Sequence, residues 1–413
     1  MNIEKKMMTD KLKRLSELEE RILSCVGIGD CRNALKGPKS KPIIELSCPN
    51  RDHGSGFEVH FARGRFSLAR ALLDGRIEPS EGLAEEIYHC TLCGSCKYVC
   101  NNCANPDLIV NARENIEDHI EIWEEMRADL VDAGVAPLPR HKEIFSHQEK
   151  EHNPYFEKHS DRLKWLPDHS EFLRPGGDYL FFVGCTSAYR LSDISRTFLE
   201  IAQQSNLKIT ISPEEWCCGS INFRTGVEKL GKETAQHNYS LFKAAGIKKI
   251  IATCAGCYRT LKVDYPKWIE DWDFEVLHSI EVIDESIQND KINITDKIPG
   301  IVTYHDPCHL GRHSELYDAP RRVIEAITQD EFIEMRRNRA NAFCCGAGGG
   351  VKSGFPEFAL EVAVERIKEA EETGAEWLTS ICPFCLGNLK DAASASGSTI
   401  KVVDLLELVK KAI

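Results

Sequence analysis

The feature that most constrains this chain is a tandem repeat whose two copies carry the same five cysteines. In the first copy, Tyr179-Leu-Phe-Phe-Val-Gly-Cys185 is followed by Glu-Trp-Cys217-Cys218-Gly219 and then by Lys-Lys-Ile-Ile-Ala-Thr-Cys254-Ala-Gly-Cys257. The second copy runs Ile301-Val-Thr-Tyr-His-Asp-Pro-Cys308, Ala-Phe-Cys344-Cys345-Gly346 and Glu-Trp-Leu-Thr-Ser-Ile-Cys382-Pro-Phe-Cys385. The first cysteine and the pair are separated by 31 and 35 residues, the pair and the final doublet by 35 and 36. Both copies close on an apolar run that leads into a helix, Phe274–His278 before Glu281 and Thr399–Val403 before Leu405. Agreement of this kind marks a duplicated structural unit.

Each cysteine group follows a short apolar or β-branched run, the signature of a buried parallel strand. Helical patterns intervene at Ser192–Ser205, Val227–Ala245 and Pro356–Thr373. Alternating strands and helices predict an α/β fold with parallel sheets, which bind ligands beyond the carboxyl ends of their strands. The cysteines stand at that end, so one cluster per repeat is expected in the loops there.

Eighteen cysteines in 413 residues are too many for ordinary packing. A chain of this length needs no disulfide staples. No apolar run approaches the roughly 20 residues of a membrane span, and Met1 to Arg21 reads as a surface helix without the apolar core of a signal peptide. A cytoplasmic location is therefore expected, with membrane contact, at the inner face, only through a partner. There thiols stay reduced and clustered cysteines point to metal or redox chemistry. A net charge of −12 opposes nucleic-acid binding. Between Ala104 and Gly184 there is no cysteine. That stretch begins with a helical pattern, Ile109 to Val131, and continues as a polar, His- and Pro-rich segment, Pro137 to Pro175, which reads as a connector or surface arm.

The most specific local motif is Cys90-x-x-Cys93-x-x-Cys96-x-x-x-Cys100, the bacterial ferredoxin spacing for a cubane [4Fe–4S] cluster, whose fourth cysteine ligates a second cluster. Asn101 stands where the usual run has proline, and Cys103 is additional. Upstream, Cys25, Cys31 and Cys48-Pro49 read as an expanded second cluster loop or as ordinary buried thiols. Under crossed ligation Cys48 completes the set of Cys90, Cys93 and Cys96, and Cys100 or Cys103 completes the other. In the repeats, five cysteines exceed what a tetrahedral zinc or a simple cubane needs. Adjacent thiolates are suited to different irons of an open cluster, with iron–sulfur or zinc the candidates. Gly219 and the Gly346–Gly350 run follow the pairs, where the backbone turns sharply. The run lacks the Lys-Ser/Thr of a phosphate loop. His305, Asp306, His309 and His313 surround Cys308, as proton donors or as hydrogen-bonding groups. Arg259, Lys262, Arg312 and Lys352 offer positive charge to an anionic substrate or are surface charge.

The pattern Cys…Cys-Cys…Cys-x-x-Cys resembles the cysteine-rich CCG domain. Over most of the chain the wording resembles the D subunit of heterodisulfide reductase. The similarity is carried by His152-Asn-Pro-Tyr155, Glu215-Trp-Cys-Cys-Gly-Ser220, Cys254-Ala-Gly-Cys257, Tyr304-His-Asp-Pro-Cys-His-Leu-Gly-Arg-His313, Cys344-Cys-Gly-Ala-Gly-Gly-Gly-Val-Lys352 and Cys382-Pro-Phe-Cys385. The resemblance implies an N-terminal α-helical ferredoxin-like domain (residues 1–135), a connector (136–175), and two tandem Rossmann-like α/β CCG domains (176–297 and 298–413) related by pseudo-twofold symmetry. It implies two noncubane [4Fe–4S] clusters, one on Cys185, Cys217, Cys218, Cys254 and Cys257, the other on Cys308, Cys344, Cys345, Cys382 and Cys385. These are expected to cleave a disulfide of the coenzyme M–coenzyme B type. Electrons are expected through one or two cubane clusters, from a b-type cytochrome or a flavoprotein. The alternative reading is a non-catalytic electron-transfer subunit of a quinone- or flavin-linked dehydrogenase, and zinc in the first CCG domain is the weaker alternative for the metal.

Overall fold

The computed structural model describes residues 12–27, 29, 31, 34–35, 43–44, 48–54, 56–100, 119–167 and 170–413. Cys103, the start of the helix expected from Met1 and the first part of the Ile109–Val131 pattern lie outside the described residues. The chain divides into two compact units. One comprises Met1–Lys142, Ile221–Glu228 and Arg339–Ala363; the other comprises Glu143–Ser220, Lys229–Asn338 and Val364–Ile413. Segment 221–228, just after the first cysteine pair, and segment 339–363, which contains the second pair, thus belong with the N-terminal region.

Among its described residues the first unit is helical apart from a small antiparallel pair, β1 (Ala34–Leu35) and β2 (Ile43–Ile44). Its longest described helices are Ala62–Leu73, Glu81–Tyr88 and His119–Asp132. In the first of these, Ala62, Phe66, Ala69 and Leu73 recur at helical spacing and are buried. They join Leu15, Ile22, Ile87, Trp123, Met126 and Leu130 in one core. Ser80 caps the second helix by accepting from the Leu83 N–H at 3.2 Å. Arg14 and the Leu15 N–H converge on the buried Asp129, tying the N-terminal helix to His119–Asp132.

The second unit holds two parallel sheets. The first has the order β4-β3-β5-β6, from β3 (Tyr179–Phe182), β4 (Ile209–Thr210), β5 (Lys249–Ala252) and β6 (Glu275–His278). The second has the order β7-β8-β9, from β7 (Val302–Tyr304), β8 (Trp377–Ser380) and β9 (Lys401–Asp404). Where the first sheet has β4, the second has isolated parallel bridges, Ile298 with Thr328 and Val302 with Phe332. The register places Phe182, Ala252 and His278 at one rim of the first sheet, and Ser380 and Asp404 at one rim of the second. Intervening helices run over Ser192–Gln204, Glu228–Ala245 and Pro356–Glu371, within two residues of the expected ends.

The fold is the α/β arrangement that the repeat implied, with the helical N-terminal region that the resemblance implied. One reading changes. The polar stretch read as a surface arm contains a helix, Pro139–Glu151, and buries Asn153 and Arg162 to 0% and 1% exposure. Asn153 and Arg162 point inward because they have partners there. Asn153 accepts from the Tyr155 N–H and donates to the carbonyls of Glu151 and Glu157, closing a turn on itself.

Candidate iron–sulfur centres

In the first repeat the strand ends deliver the thiols. Cys185 opens the helix Cys185–Tyr189 three residues after β3, and Cys254 caps the helix Ala255–Arg259 two residues after β5. A helix N-terminus favours the thiolate form that binds metal. Gly184 adopts φ 72°, where an L side chain is strained, and a Cβ there would press on Cys257 Sγ at 3.0 Å. Gly219 adopts φ 81° after the cysteine pair, and its N–H donates to Cys217 Sγ at 3.4 Å. The thiols interact with one another. Hydrogen bonds from Cys217 and Cys257 pull Cys218 down to about 6, while hydrogen bonding to Cys217 and burial push Cys185 far up.

A buried charge pair reaches this set from the segment before it. Arg162 donates to Cys185 Sγ at 3.7 Å and pairs with Glu215. Glu215 in turn accepts the N–H groups of Val183 and Gly184 at 2.8 and 2.9 Å, fixing the strand end that leads into Cys185. Burial holds the Glu215 carboxyl above its usual range, with Arg162 opposing. From the same segment the His152 carbonyl accepts the Cys217 N–H at 2.9 Å, and Asn238 donates to the Cys217 carbonyl at 3.0 Å.

The second repeat repeats the placement and changes the surroundings. Cys308 follows β7 by four residues, and Cys382 caps the helix Pro383–Ser396, with proline at its first position. Gly346, at φ 84°, donates to Cys344 Sγ at 3.4 Å, as Gly219 does to Cys217. Beside Cys308 and Cys385 the charges form a different network. Arg366 donates to His305 Nδ1 at 3.1 Å and to Glu369 at 2.7 Å. Arg337 also binds Glu369, and Asp306 takes both terminal nitrogens of Arg321 at 2.8 and 2.9 Å. Burial, helped by Arg366, drives His305 down to about 3, so the imidazole is neutral. The two cysteine sets also meet: Cys254 and Cys382, which hold the same place in the two repeats, share a thiol hydrogen bond that pulls Cys382 well below the ordinary thiol range.

In the helical unit, Cys48 is pushed up to about 12 by burial, with the charge of Cys93 and Cys90 adding to it. Cys96 is raised by burial and by Cys90, Cys93, Cys31 and Cys48. Cys31, also at about 12, is buried and feels Cys48, Cys100 and Cys25. The glycine run after Cys345 finds its explanation here, since Cβ atoms at Gly348 and Gly349 would stand 2.9 Å from the Thr91 carbonyl and 2.6 Å from that of Cys90. The run is a site of backbone approach, not a phosphate loop. Arg127, fully buried, ties these segments together. It donates to the carbonyls of Ile87, Cys90, Arg224 and Gly349 at 2.7–2.9 Å and lies over the Tyr88 ring.

Among the described residues no cysteine forms a disulfide. Buried, all-thiol donor sets with mutually interacting sulfurs fit iron–sulfur clusters. Cys96 interacts with Cys90, Cys93, Cys48 and Cys31, and Cys31 with Cys48, Cys100 and Cys25, so Cys31 links the two expected sets; Cys103 lies outside the described residues. In the second unit Cys185, Cys217, Cys218 and Cys257 form a linked group that meets Cys382 and Cys385 through Cys254. Cys344 and Cys345 belong to the helical unit. Arg259 is neither surface charge nor exposed to a substrate, for it is buried against Asp264 at 2.8 Å. Arg127, Arg162 and Arg366 were missed in the sequence. Arg127 and Arg162 have partners distant in the chain, and Arg366 joins Glu369, one turn on, to the distant His305.

Residues 179–262 and 302–390 match the family described as Cysteine-rich domain, CCG. The D subunit of dihydromethanophenazine:CoB–CoM heterodisulfide reductase from Methanosarcina barkeri is 37% identical over 344 residues, which cover 82% of this chain and 81% of that protein. The B subunit of the CoM/CoB fumarate reductase from Methanothermobacter marburgensis is 31% identical, covering 80% of this chain and 62% of that protein. Among solved structures, a hypothetical protein from Helicobacter pylori superposes with a TM-score of 0.54 at 11% identity, over 87% of this chain and 67% of that one, a likeness of fold alone. No described helix is long and apolar enough to cross a membrane. With its duplicated five-cysteine pattern and this extent of identity, the chain belongs to the heterodisulfide reductase D-subunit family of cysteine-rich iron–sulfur oxidoreductases.

Proposed function

We propose that this chain is the disulfide-reducing subunit of a heterodisulfide reductase-type complex, acting on the CoB–CoM heterodisulfide or a disulfide of that class. The observation that carries this reading is the meeting of Cys254 and Cys382, which brings equivalent points of the two cysteine sets to one place. A noncubane [4Fe–4S] cluster would be held by Cys185, Cys217, Cys218, Cys254 and Cys257, and another by Cys308, Cys344, Cys345, Cys382 and Cys385. Cys48, Cys90, Cys93 and Cys96 would hold a cubane, and Cys25, Cys31 and Cys100 would contribute to a second. When bound, such clusters supply single electrons and iron that takes up sulfur, so that two electrons and two protons convert one disulfide into two thiols.

The protein's own part is positioning and exclusion. Cys254 and Cys382 are 8% and 4% exposed, so solvent is kept from the place where a sulfur–sulfur bond would lie. Glu215 and Arg162 fix the backbone and sulfur of Cys185. Arg127 clamps the Cys90 carbonyl to that of Gly349, and the side-chain-free glycines let the two backbones touch. This gives a short path from the N-terminal thiols to the segment that begins at Cys345. The donor is a separate protein, a b-type cytochrome or a flavoprotein, through which the chain meets the membrane.

Anaerobic purification with iron, sulfide and zinc counts, followed by EPR with the coenzyme thiols, tests the reading. Iron sufficient for two noncubane clusters and at least one cubane, with a thiol-dependent signal, is expected. Full iron with neither a thiol-dependent signal nor viologen-linked disulfide turnover would replace it with the electron-transfer reading.

A further inference from the structure

The arrangement around His305 fixes which ring nitrogen carries its proton. Arg366 Nε is always a donor, and it points at His305 Nδ1 at 3.1 Å. Nδ1 must therefore accept, and a neutral imidazole that accepts at Nδ1 carries its hydrogen on Nε2. Glu369 and Arg337 hold Arg366 in place from behind, and Arg366 and His305 are 0% and 1% exposed. The His305 backbone is fixed as well, its N–H given to the Thr379 carbonyl at 2.8 Å and its carbonyl accepting from Ser380 Oγ at 3.1 Å. Nothing in this cage reaches Nε2. That atom is buried and finds no hydrogen-bond partner among the described residues, while a ring nitrogen of His305 lies within 4.8 Å of Cys385 Sγ. A buried N–H without an acceptor is rare unless a bound group supplies one.

We propose that His305 is a hydrogen-bond donor to a sulfur of the cluster bound at Cys385, with Arg366 as the positioning residue that fixes its tautomer. This rests on the reading that the second repeat holds an iron–sulfur cluster. It also excludes His305 as an iron ligand through Nε2, because ligation there would need the proton moved to Nδ1, where Arg366 already donates. The first repeat uses a guanidinium at Cys185 instead, so the donor to the second cluster is neutral. A neutral N–H donated to a cluster sulfur stabilises the reduced form and raises the potential.

The experiment is proton and nitrogen ENDOR on the full chain, purified anaerobically and reduced, in H2O and D2O, with natural and 15N-labelled histidine. An exchangeable proton and a weak histidine nitrogen coupling on one cluster are expected in the wild type and its labelled form. In His305→Leu both should vanish and that cluster's midpoint potential should fall while the other stays put; His305→Gln should keep the exchangeable proton. A strong histidine coupling would overturn the proposal in favour of ligation. So would an exchangeable proton that persists unchanged in His305→Leu at full iron content. Should His305→Leu fail to fold, the labelled wild type alone decides between weak, strong and absent coupling, and absent coupling also overturns it. Loss of the iron from the wild type, in contrast, would remove the functional reading itself.

Discussion

The two repeats share their thiols and differ in everything charged around them. In the first, a buried Arg162–Glu215 pair from outside the repeat's strands grips Cys185 and the strand end before it. In the second, Arg366 and Arg337 share Glu369, Arg321 occupies Asp306, and a neutral imidazole, His305, stands within 4.8 Å of Cys385. The helices that follow the last strands make the same point. His278 and Asp404 hold equivalent positions, each buried at the end of its strand and each capping the next helix in a capping box. One is a base that burial drives down to about 4, the other an acid that burial drives up to about 8. Duplication preserved the cysteines and the backbone turns that present them. The electrostatics were built separately, so equal donor sets need not have equal potentials.

The largest expected effect comes from breaking the charge pair of the first repeat. Arg162→Met strands Glu215 without its partner in the interior, which should cost about 3–5 kcal/mol. Denaturation midpoints should fall accordingly, and iron loss should be confined to the first repeat's signal. The double variant with Glu215→Gln should recover part of the stability. If both repeats lose their iron alike, the two environments are not independent.

Next is the glycine run, which follows the second cysteine pair and has no counterpart after the first. Gly349→Ala places a methyl 2.6 Å from the Cys90 carbonyl at φ 65° and should destabilise by about 2–3 kcal/mol. Gly82→Ala, in an open helical position, should instead gain up to about 1 kcal/mol. Equal thermal midpoints for the two variants would remove the close approach from the account.

The smallest effect has opposite signs in the two repeats. The unfolded chain protonates His278 below its ordinary 6.5, whereas the fold resists until about 4, so the stability His278 contributes is complete above that range and lost as pH falls through it. Asp404 keeps its proton in the fold up to about 8 although its ordinary value is 3.8, so its contribution is complete at low pH and lost as pH rises. His278→Asn should flatten the fall in stability from about pH 6.5 to 4, and Asp404→Asn the fall from about pH 4 to 8, each by on the order of 1–3 kcal/mol. Denaturant midpoints across pH 4–9 would read both, and a profile unchanged by either substitution would refute the assignment.

Much of this was legible in the sequence because strands, cysteine spacing and turn glycines are local signals. Tyr179–Phe182 and Lys249–Ala252 read as strands from their apolar runs, and Gly219 and Gly346 stand where positive φ is required. The stretch from Pro137 to Pro175 misled because buried, paired polar groups have the same composition as a surface. Arg162 and Asn153 became interpretable only with Glu215, Cys185 and the local carbonyls beside them. Likewise Arg127 has no periodic signature, since its four carbonyl partners come from three separate segments.

The central claim is that both cysteine sets act on one disulfide at the place where Cys254 meets Cys382. Viologen-linked heterodisulfide reduction by Cys254→Ser and Cys382→Ser, each purified anaerobically with the other repeat's EPR signal intact, tests it most directly. Turnover should be lost in both variants. Turnover retained in either one would contradict the account.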